Sequence, residues 1–417
     1  MRFFPLHTAV AVCIPCLLFR VATLGAAPAP PFSDLLMQSE TTAPRLLEAA
    51  AEIEAAAGHA RQSKAWPNPE LGVEVEDFAG SGVYHGSSQA QTTLSLSEPL
   101  ELGGQRSARV QAGRAELTAA SARGQRSRAD FIYDLTLAYA MAEVAQSRAV
   151  LLAEDLDRAQ EDVRQARALV DAGKEGELRA VQAEAAAAGA RADLEAARAD
   201  ALETLGRLSS LVGVKEAFTS IGSSLLVRVS GVAPVPERRA LAPGVLVARS
   251  EFDSAERRVQ VERKQALPKL SLSVGVRRFA GGDASAMVGG VSVSLPVFDW
   301  NRGAIAAAGA ERAAAHARLL AADLDAEAGW RTAVAQQAAA EARLTAAGHG
   351  EGAAREAYRL ARIGYEAGRS PLLELLSTRR ALTDAELRSL EARLARVRAE
   401  ASLARLAGRV PFGGHSE

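Results

Sequence analysis

The sequence predicts an α+β membrane protein in which strands and very long helices are laid out twice. Three observations lead to that class. Landmarks recur in the same order in both halves of the 417-residue chain. Two stretches of more than sixty residues are helical in composition and free of proline. Four short runs alternate apolar and polar residues with period two, the signature of strands with one apolar face.

Ala43-Pro44 recurs as Ala242-Pro243, and Pro69 as Pro268, both offset by 199. Pro99 recurs as Pro296, offset by 197, and Gly173 as Gly368, offset by 195. Leu211-Val212-Gly213 matches Leu406-Ala407-Gly408, again offset by 195. Several ordered matches at a nearly constant offset identify a duplication, with small length changes in the intervening loops. The division that follows is a signal peptide at 1–27, a first repeat at 28–213 and a connector at 214–242. A second repeat covers 243–408 and a tail 409–417.

Before the first repeat, Arg2 precedes an apolar stretch from Ala9 to Leu24, broken by Arg20, and the small residues Gly25-Ala26-Ala27 follow. This is the layout of a secretory signal with its cleavage site. Cys13 and Cys16 are the chain's two cysteines and have C-x-x-C spacing. There is no second pair to complete a zinc site, and Pro15 lies in an apolar run, so neither a redox nor a metal motif is expected. Val12 and Pro15 stand where a lipoprotein box needs a small residue.

Each repeat opens with a helical segment, 44–65 and 244–265. In the first hairpin, 70–98, Leu71, Val73 and Val75 alternate with Gly72, Glu74 and Glu76, and Leu94 and Leu96 alternate with Thr93, Ser95 and Ser97. In the second, 269–295, Leu270, Leu272, Val274 and Val276 alternate with Ser271, Ser273, Gly275 and Arg277, and Val291, Val293 and Leu295 with Ser292 and Ser294. Gly-rich links at 79–86 and 280–290 read as hairpin loops. The long helices are expected at 105–171 and 302–366, each about 100 Å long at 1.5 Å per residue. Glycine stops follow at Ala172-Gly173-Lys174 and Ala367-Gly368-Arg369. The chain then returns as helix over 176–212 and 371–408, with Pro371 in a first turn, where it lacks no needed N–H. Leu178, Val181, Leu194, Leu202 and Leu205 form the expected apolar stripe of the first return helix. Leu372, Leu375, Leu376, Leu382 and Leu387 form that of the second. Small alanines between them permit close helix approach. The stretch 215–236, with Pro234 and Pro236, reads as irregular connector.

Lys and Arg number 49 against 50 Asp and Glu, with both signs interspersed, so no basic arm for nucleic acid is present. After the leader no run of about 18 apolar residues is available for a spanning helix. No G-x-S-x-G, Walker motif or G-x-G-x-x-G in a βαβ setting occurs, so no enzyme and no cofactor are expected. His59, His85, His316 and His349 are scattered without metal-ligand spacing, and no metal site is expected. Four strands cannot close a barrel, and an unpaired edge is not viable in hydrocarbon. A trimer contributing twelve strands closes one. The helices, longer than a membrane is thick, then project from it and can wall a conduit.

Asn68-Pro69-Glu70-Leu71, Glu74-Val75-Glu76 and the run QTTLSLSEPLELGGQR at 91–106 resemble the TolC-type outer-membrane efflux family, most closely its heavy-metal, CzcC-like branch. The resemblance spans the mature chain. It implies a homotrimer with a twelve-stranded β-barrel in outer-membrane lipid and a helical coiled-coil tunnel in the periplasm of a Gram-negative cell. It further implies a periplasmic adaptor (membrane fusion protein) and an inner-membrane pump of the RND type as partners. Substrate would pass without covalent chemistry. The family's closed periplasmic end implies gate roles for Tyr365, Arg369 and Glu374. Ser377 stands where a second carboxylate would complete a tight cation ring, and a solvated helix residue is the alternative for Glu374. The turns make Val170, Ala172, Gly173, Ala367 and Gly368 expected adaptor contacts, with Leu169 and Ile363 nearby. Divalent heavy-metal cations are the expected cargo. Organic drugs or a secreted protein are alternatives within the class, and a periplasmic coiled-coil adaptor or structural protein is the alternative outside it.

Overall fold

The computed structural model describes residues 27–227 and 242–412. The leader with Cys13 and Cys16, the connector part 228–241 and the last five residues lie outside the described residues. The chain runs α1 (Phe32–Thr42), α2 (Pro44–Gln62), β1 (Glu70–Glu76), β2 (Gln91–Leu100), α3 (Gln105–Asp171) and α4 (Glu177–Val212). It continues with α5 (Pro243–Gln265), β3 (Lys269–Phe279), β4 (Ser285–Ser294), α6 (Arg302–Glu366) and α7 (Leu372–Leu406). Apart from α1, the second set repeats the first element for element.

The repetition extends to backbone conformation. Pro44 and Pro243 both open helices, where the ring's fixed φ is already helical. Gly104 before α3 and Asn301 before α6 are both left-handed, at φ 81° and 54°; asparagine is among the few other residues that take this conformation readily. Gly213 and Gly408 follow the two return helices, also left-handed. With alanine, leucine, arginine and glutamate filling them, α3 and α6 have strong intrinsic helix preference over their whole length.

The four strands form one antiparallel sheet in the order β1-β2-β3-β4. Its central pairing joins the two repeats, with Leu94 opposite Val276 and Leu96 opposite Val274. One face carries Leu71, Val73, Leu94, Leu96, Leu272, Val274, Met287 and Val291, all exposed in the protomer. The other face carries Glu70, Glu74, Glu76, Gln91, Thr93, Ser95, Ser273 and Arg277. There Arg277 pairs with Glu76 at 2.7 Å and donates to Gln91 and Thr93, each at 3.0 Å. Gly275 sits where a Cβ would lie 2.6 Å from the Leu94 carbonyl oxygen, so close strand approach requires glycine there. The second hairpin loop is shorter than the sequence suggests. β4 begins at Ser285, and Gly289 and Gly290 are ladder residues opposite Val274 and Ser273.

α3 is the organising helix and packs against α2, α4, α5 and α7, whereas α6 packs against α5 and α7. Near its middle, Phe131, Leu135 and Tyr139 meet Phe32 and Leu35 of α1, Leu208 of α4 and Val397 of α7. The start of the connector joins this core, because Phe218, Leu225 and Leu226 are buried. The buried Glu143 carboxylate accepts the Leu225 and Leu226 N–H groups at 2.7 and 3.2 Å and the Ser224 hydroxyl. Phe218, Leu225 and Leu226 thus tie the start of this irregular connector to the core, while Val227 stays exposed.

The expected stripe of α4 divides. Leu194 and Leu205 are buried, whereas Leu178, Val181 and Leu202 are exposed, because α4 lies at the edge of the protomer and has two apolar faces. In α7 the expected Leu372, Leu375, Leu376 and Leu382 are buried, and Leu387 is half-buried. No described helix is long and apolar enough to cross a membrane.

The α1–α2 junction rests on the end of α4. Thr42 donates to the Val212 carbonyl at 2.8 Å, and a Cβ at Gly213 would lie 2.3 Å from the Thr42 carbonyl oxygen. Gly213→Ala combines a left-handed φ, about 1–2 kcal/mol, with that clash, and thermal unfolding in detergent is expected at clearly lower temperature. Gly206→Ala, at an unobstructed helical position, is expected to be neutral or to stabilise by about 0.5–1 kcal/mol.

Candidate functional site

Both helix hairpins turn through the same motif. The Gly173 N–H reaches the Val170 carbonyl and the Lys174 N–H the Leu169 carbonyl, each at 2.9 Å. In the second hairpin, Gly368 reaches Tyr365 at 2.9 Å and Arg369 reaches Gly364 at 2.8 Å. These paired bonds satisfy the last helix carbonyls and require a left-handed residue, supplied by Gly173 and Gly368 at φ 68° and 67°. Ala172, Gly173, Ala367 and Gly368 are exposed, Val170 and Leu169 half-buried, and Ile363 exposed. The tips thus present small side chains with apolar groups immediately behind them.

Behind the turns the four helices converge. Ala166 of α3, Ala183 of α4, Tyr358 and Tyr365 of α6, and Leu372, Leu375, Leu376 and Leu382 of α7 make one apolar cluster. Tyr365 belongs to this cluster and is only 3% exposed. Its hydroxyl has no hydrogen-bond partner among the described residues. Burial raises its pKa, the charges of Glu175 and Asp162 add to that, and Arg179 opposes it.

Arg369 and Glu374 lie outside the cluster. Both are exposed, and no side-chain hydrogen bond or ion pair joins either to Tyr365 among the described residues. Glu374 is in the first turn of α7, where a carboxylate is favoured by the helix dipole. It shares an exposed face with Ser377, whose hydroxyl donates to the Glu374 carbonyl at 2.9 Å. Tyr365 therefore packs the tips together, while Glu374 and Ser377 present polar groups away from that packing.

An ionic seam between α3 and α7 was not anticipated from the sequence. Arg379, at 2% exposure, faces Asp162 and Asp155. Thr383 donates to Asp155 at 2.8 Å. Farther along, Glu386 is reached by Arg158 at 3.5 Å and by Arg355 at 3.4 Å. The available signal was positional: 372, 375, 379, 382, 386 and 389 follow the 3–4 spacing of a helix seam, so Arg379 occupies a seam position between Leu375 and Leu382, and Glu386 one between Leu382 and Ser389. Among the described residues no group of His, Cys, Asp or Glu is arranged to hold a metal ion.

The model of the outer membrane efflux protein family matches residues 35–214 and 235–409, one match per repeat. The nickel-cobalt-cadmium resistance protein NccC of Alcaligenes xylosoxydans xylosoxydans is 43% identical over 407 residues, covering 98% of this chain and 93% of the relative. The nickel and cobalt resistance protein CnrC of Cupriavidus metallidurans is 45% identical over 395 residues, covering 95% and 94%. Among solved structures, the outer-membrane channel OprN superposes with a TM-score of 0.80 at 23% identity, covering 90% of this chain and 89% of that one. With a four-stranded sheet, one helix about 100 Å long in each repeat and a family match in each repeat, this chain belongs to the outer membrane efflux protein family.

Proposed function

We propose that this chain is the exit duct of a tripartite efflux system that carries divalent heavy-metal cations across the outer membrane. The observation that carries the reading is similarity along nearly the whole chain to two proteins named for nickel and cobalt resistance, one of them also for cadmium. The polar face of the sheet supports it. Glu70, Glu74 and Glu76 project from β1, against Arg277, which is ion-paired with Glu76, and Lys269 at the start of β3, so one negative charge per protomer remains in excess among these residues. In three copies such a lining holds cations and repels anions through charge rings without binding either tightly.

In this reading the leader at 1–27 directs export. The periplasmic gate is built from Tyr365, Arg369 and Glu374, with Tyr365 sealing the tips from within and Glu374 facing the ions. The turns at Val170, Ala172, Gly173, Ala367 and Gly368 receive a periplasmic adaptor, which couples the duct to an inner-membrane pump of the RND type. Family membership sets aside the alternative of a periplasmic adaptor or structural protein. A drug or protein cargo would leave the architecture unchanged and is separated by the following test.

A strain lacking the gene is expected to lose growth on graded nickel, cobalt, cadmium or zinc and to regain it when the gene is returned. Sensitivity confined to dyes and antibiotics would refute the metal reading. Ala172→Arg or Ala367→Arg in the returned gene is expected to abolish rescue at unchanged abundance in the membrane; full rescue would refute tip docking.

Tyr365→Phe removes a buried hydroxyl that lacks a partner, so stability is expected to hold or rise by about 1 kcal/mol. Tyr365→Ala leaves a cavity worth about 3–5 kcal/mol. Planar-bilayer recording is expected to show larger resting conductance for the alanine variant only. Equal conductance in both would count against a sealing role.

A further inference from the structure

The seam between α3 and α7 carries an ionic cluster whose groups are close but incompletely bonded. Arg379 Nε lies 3.5 Å from Asp162 Oδ2 and 3.9 Å from Asp155 Oδ1, beyond the 2.7–2.9 Å of a charge-assisted hydrogen bond. Its Nη1 donates to the Asp155 backbone carbonyl at 3.4 Å. Asp155 has the Thr383 hydroxyl as well. Asp162 Oδ2 and Arg379 Nε are buried without a hydrogen-bond partner.

The groups facing Asp162 come from three helices. α7 contributes Arg379, α3 contributes Asp155 and Glu161, and α6 contributes Arg362, Tyr358 and Tyr365. From α4, Ala183 and Ala186 pack against the same cluster. Arg362 is itself engaged by Glu366 at 3.1 Å. Two carboxylates therefore share one buried guanidinium, which leaves an excess negative charge in the seam when both are ionised.

We propose that Asp155, Asp162 and Arg379 form a proton-operated latch, which holds α3 against α7 when Asp162 is protonated and loosens when Asp162 ionises. Burial raises the Asp162 pKa from 3.8 to about 6, with Asp155 and Glu161 adding to the shift and Arg379 and Arg362 opposing it. If the seam opens to water, the group returns toward its ordinary value. The packed seam then binds more protons than the open one between about pH 4 and pH 6. Falling pH favours packing through that window, and rising pH removes the advantage, by on the order of 100-fold over the whole shift. The latch stands on its own contacts; its effect on conduction rests on the tip gate proposed above.

Hydrogen–deuterium exchange of the full-length protein, corrected for intrinsic exchange rates, reads the latch at peptides covering 155–166 and 372–386. Between pH 5 and pH 7 protection there is expected to fall on the order of 10-fold in the unaltered protein. Asp162→Asn is expected to keep the acid level of protection throughout. Asp155→Asn, which removes a like charge facing Asp162, is expected to move the transition to lower pH and serves if the first variant does not assemble. Protection independent of pH, or a transition unmoved in both variants, would overturn the latch. Conductance recorded on the same proteins separates the two readings: a pH-linked change in protection with unchanged conductance keeps the latch and refutes its coupling to the gate, which the Tyr365 variants test separately.

Discussion

The constraint on which the rest of the molecule depends is the pair of free edges on its four-stranded sheet. β1 and β4 each hydrogen-bond on one side only within the protomer. Each unsatisfied N–H or C=O in hydrocarbon costs several kcal/mol, so a spanning sheet must close on itself. The family forms trimers, and three protomers bring twelve strands together. The exposed Leu71, Val73, Val274 and Val291, a liability on a soluble sheet, then face lipid. The exposed apolar residues of the outer helices α4 and α6, such as Leu202, Leu324 and Leu360, lie where the protomer has no further helix of its own to cover them.

The duplication supplies a near-symmetric scaffold, and the tips are where its two halves part. At the offset of 195, Tyr365 corresponds to Val170, Glu374 to Arg179 and Arg379 to Glu184. Glu184 is half-buried and pairs with the exposed Arg167, whereas Arg379 is buried against two carboxylates. The turn geometry is kept in both halves, but the buried guanidinium of Arg379 and the tip tyrosine belong to the second, while the carboxylates facing Arg379 belong to α3 of the first. In the proposed latch, the imperfectly bonded ionic seam is the weaker interaction beside an apolar cluster built mainly of leucines.

Much of this was legible in the sequence. The bounds of α3 and α6, expected at 105–171 and 302–366, agree with the structure, since helix composition and glycine stops are local signals. The alternating strands were legible for the same reason. What escaped notice depends on distant partners. Gly289 and Gly290 read as a loop, yet pairing with β3 holds them in the ladder. The connector start read as irregular, yet Glu143 on α3 anchors it. α1 was missed because its eleven residues carry too few turns to show a period. Of the tip residues, the turn glycines were legible from their helix-stop pattern, whereas the burial of Tyr365 and Arg379 depends on four helices meeting.

Closure by copies of the same chain can be tested directly by native mass spectrometry of the detergent-extracted protein, paired with conductance of the same sample. The account predicts a species of three protomers that conducts, with no conducting monomer. A conducting monomer, or a conducting assembly of any other number, would contradict a barrel built from four strands of each protomer.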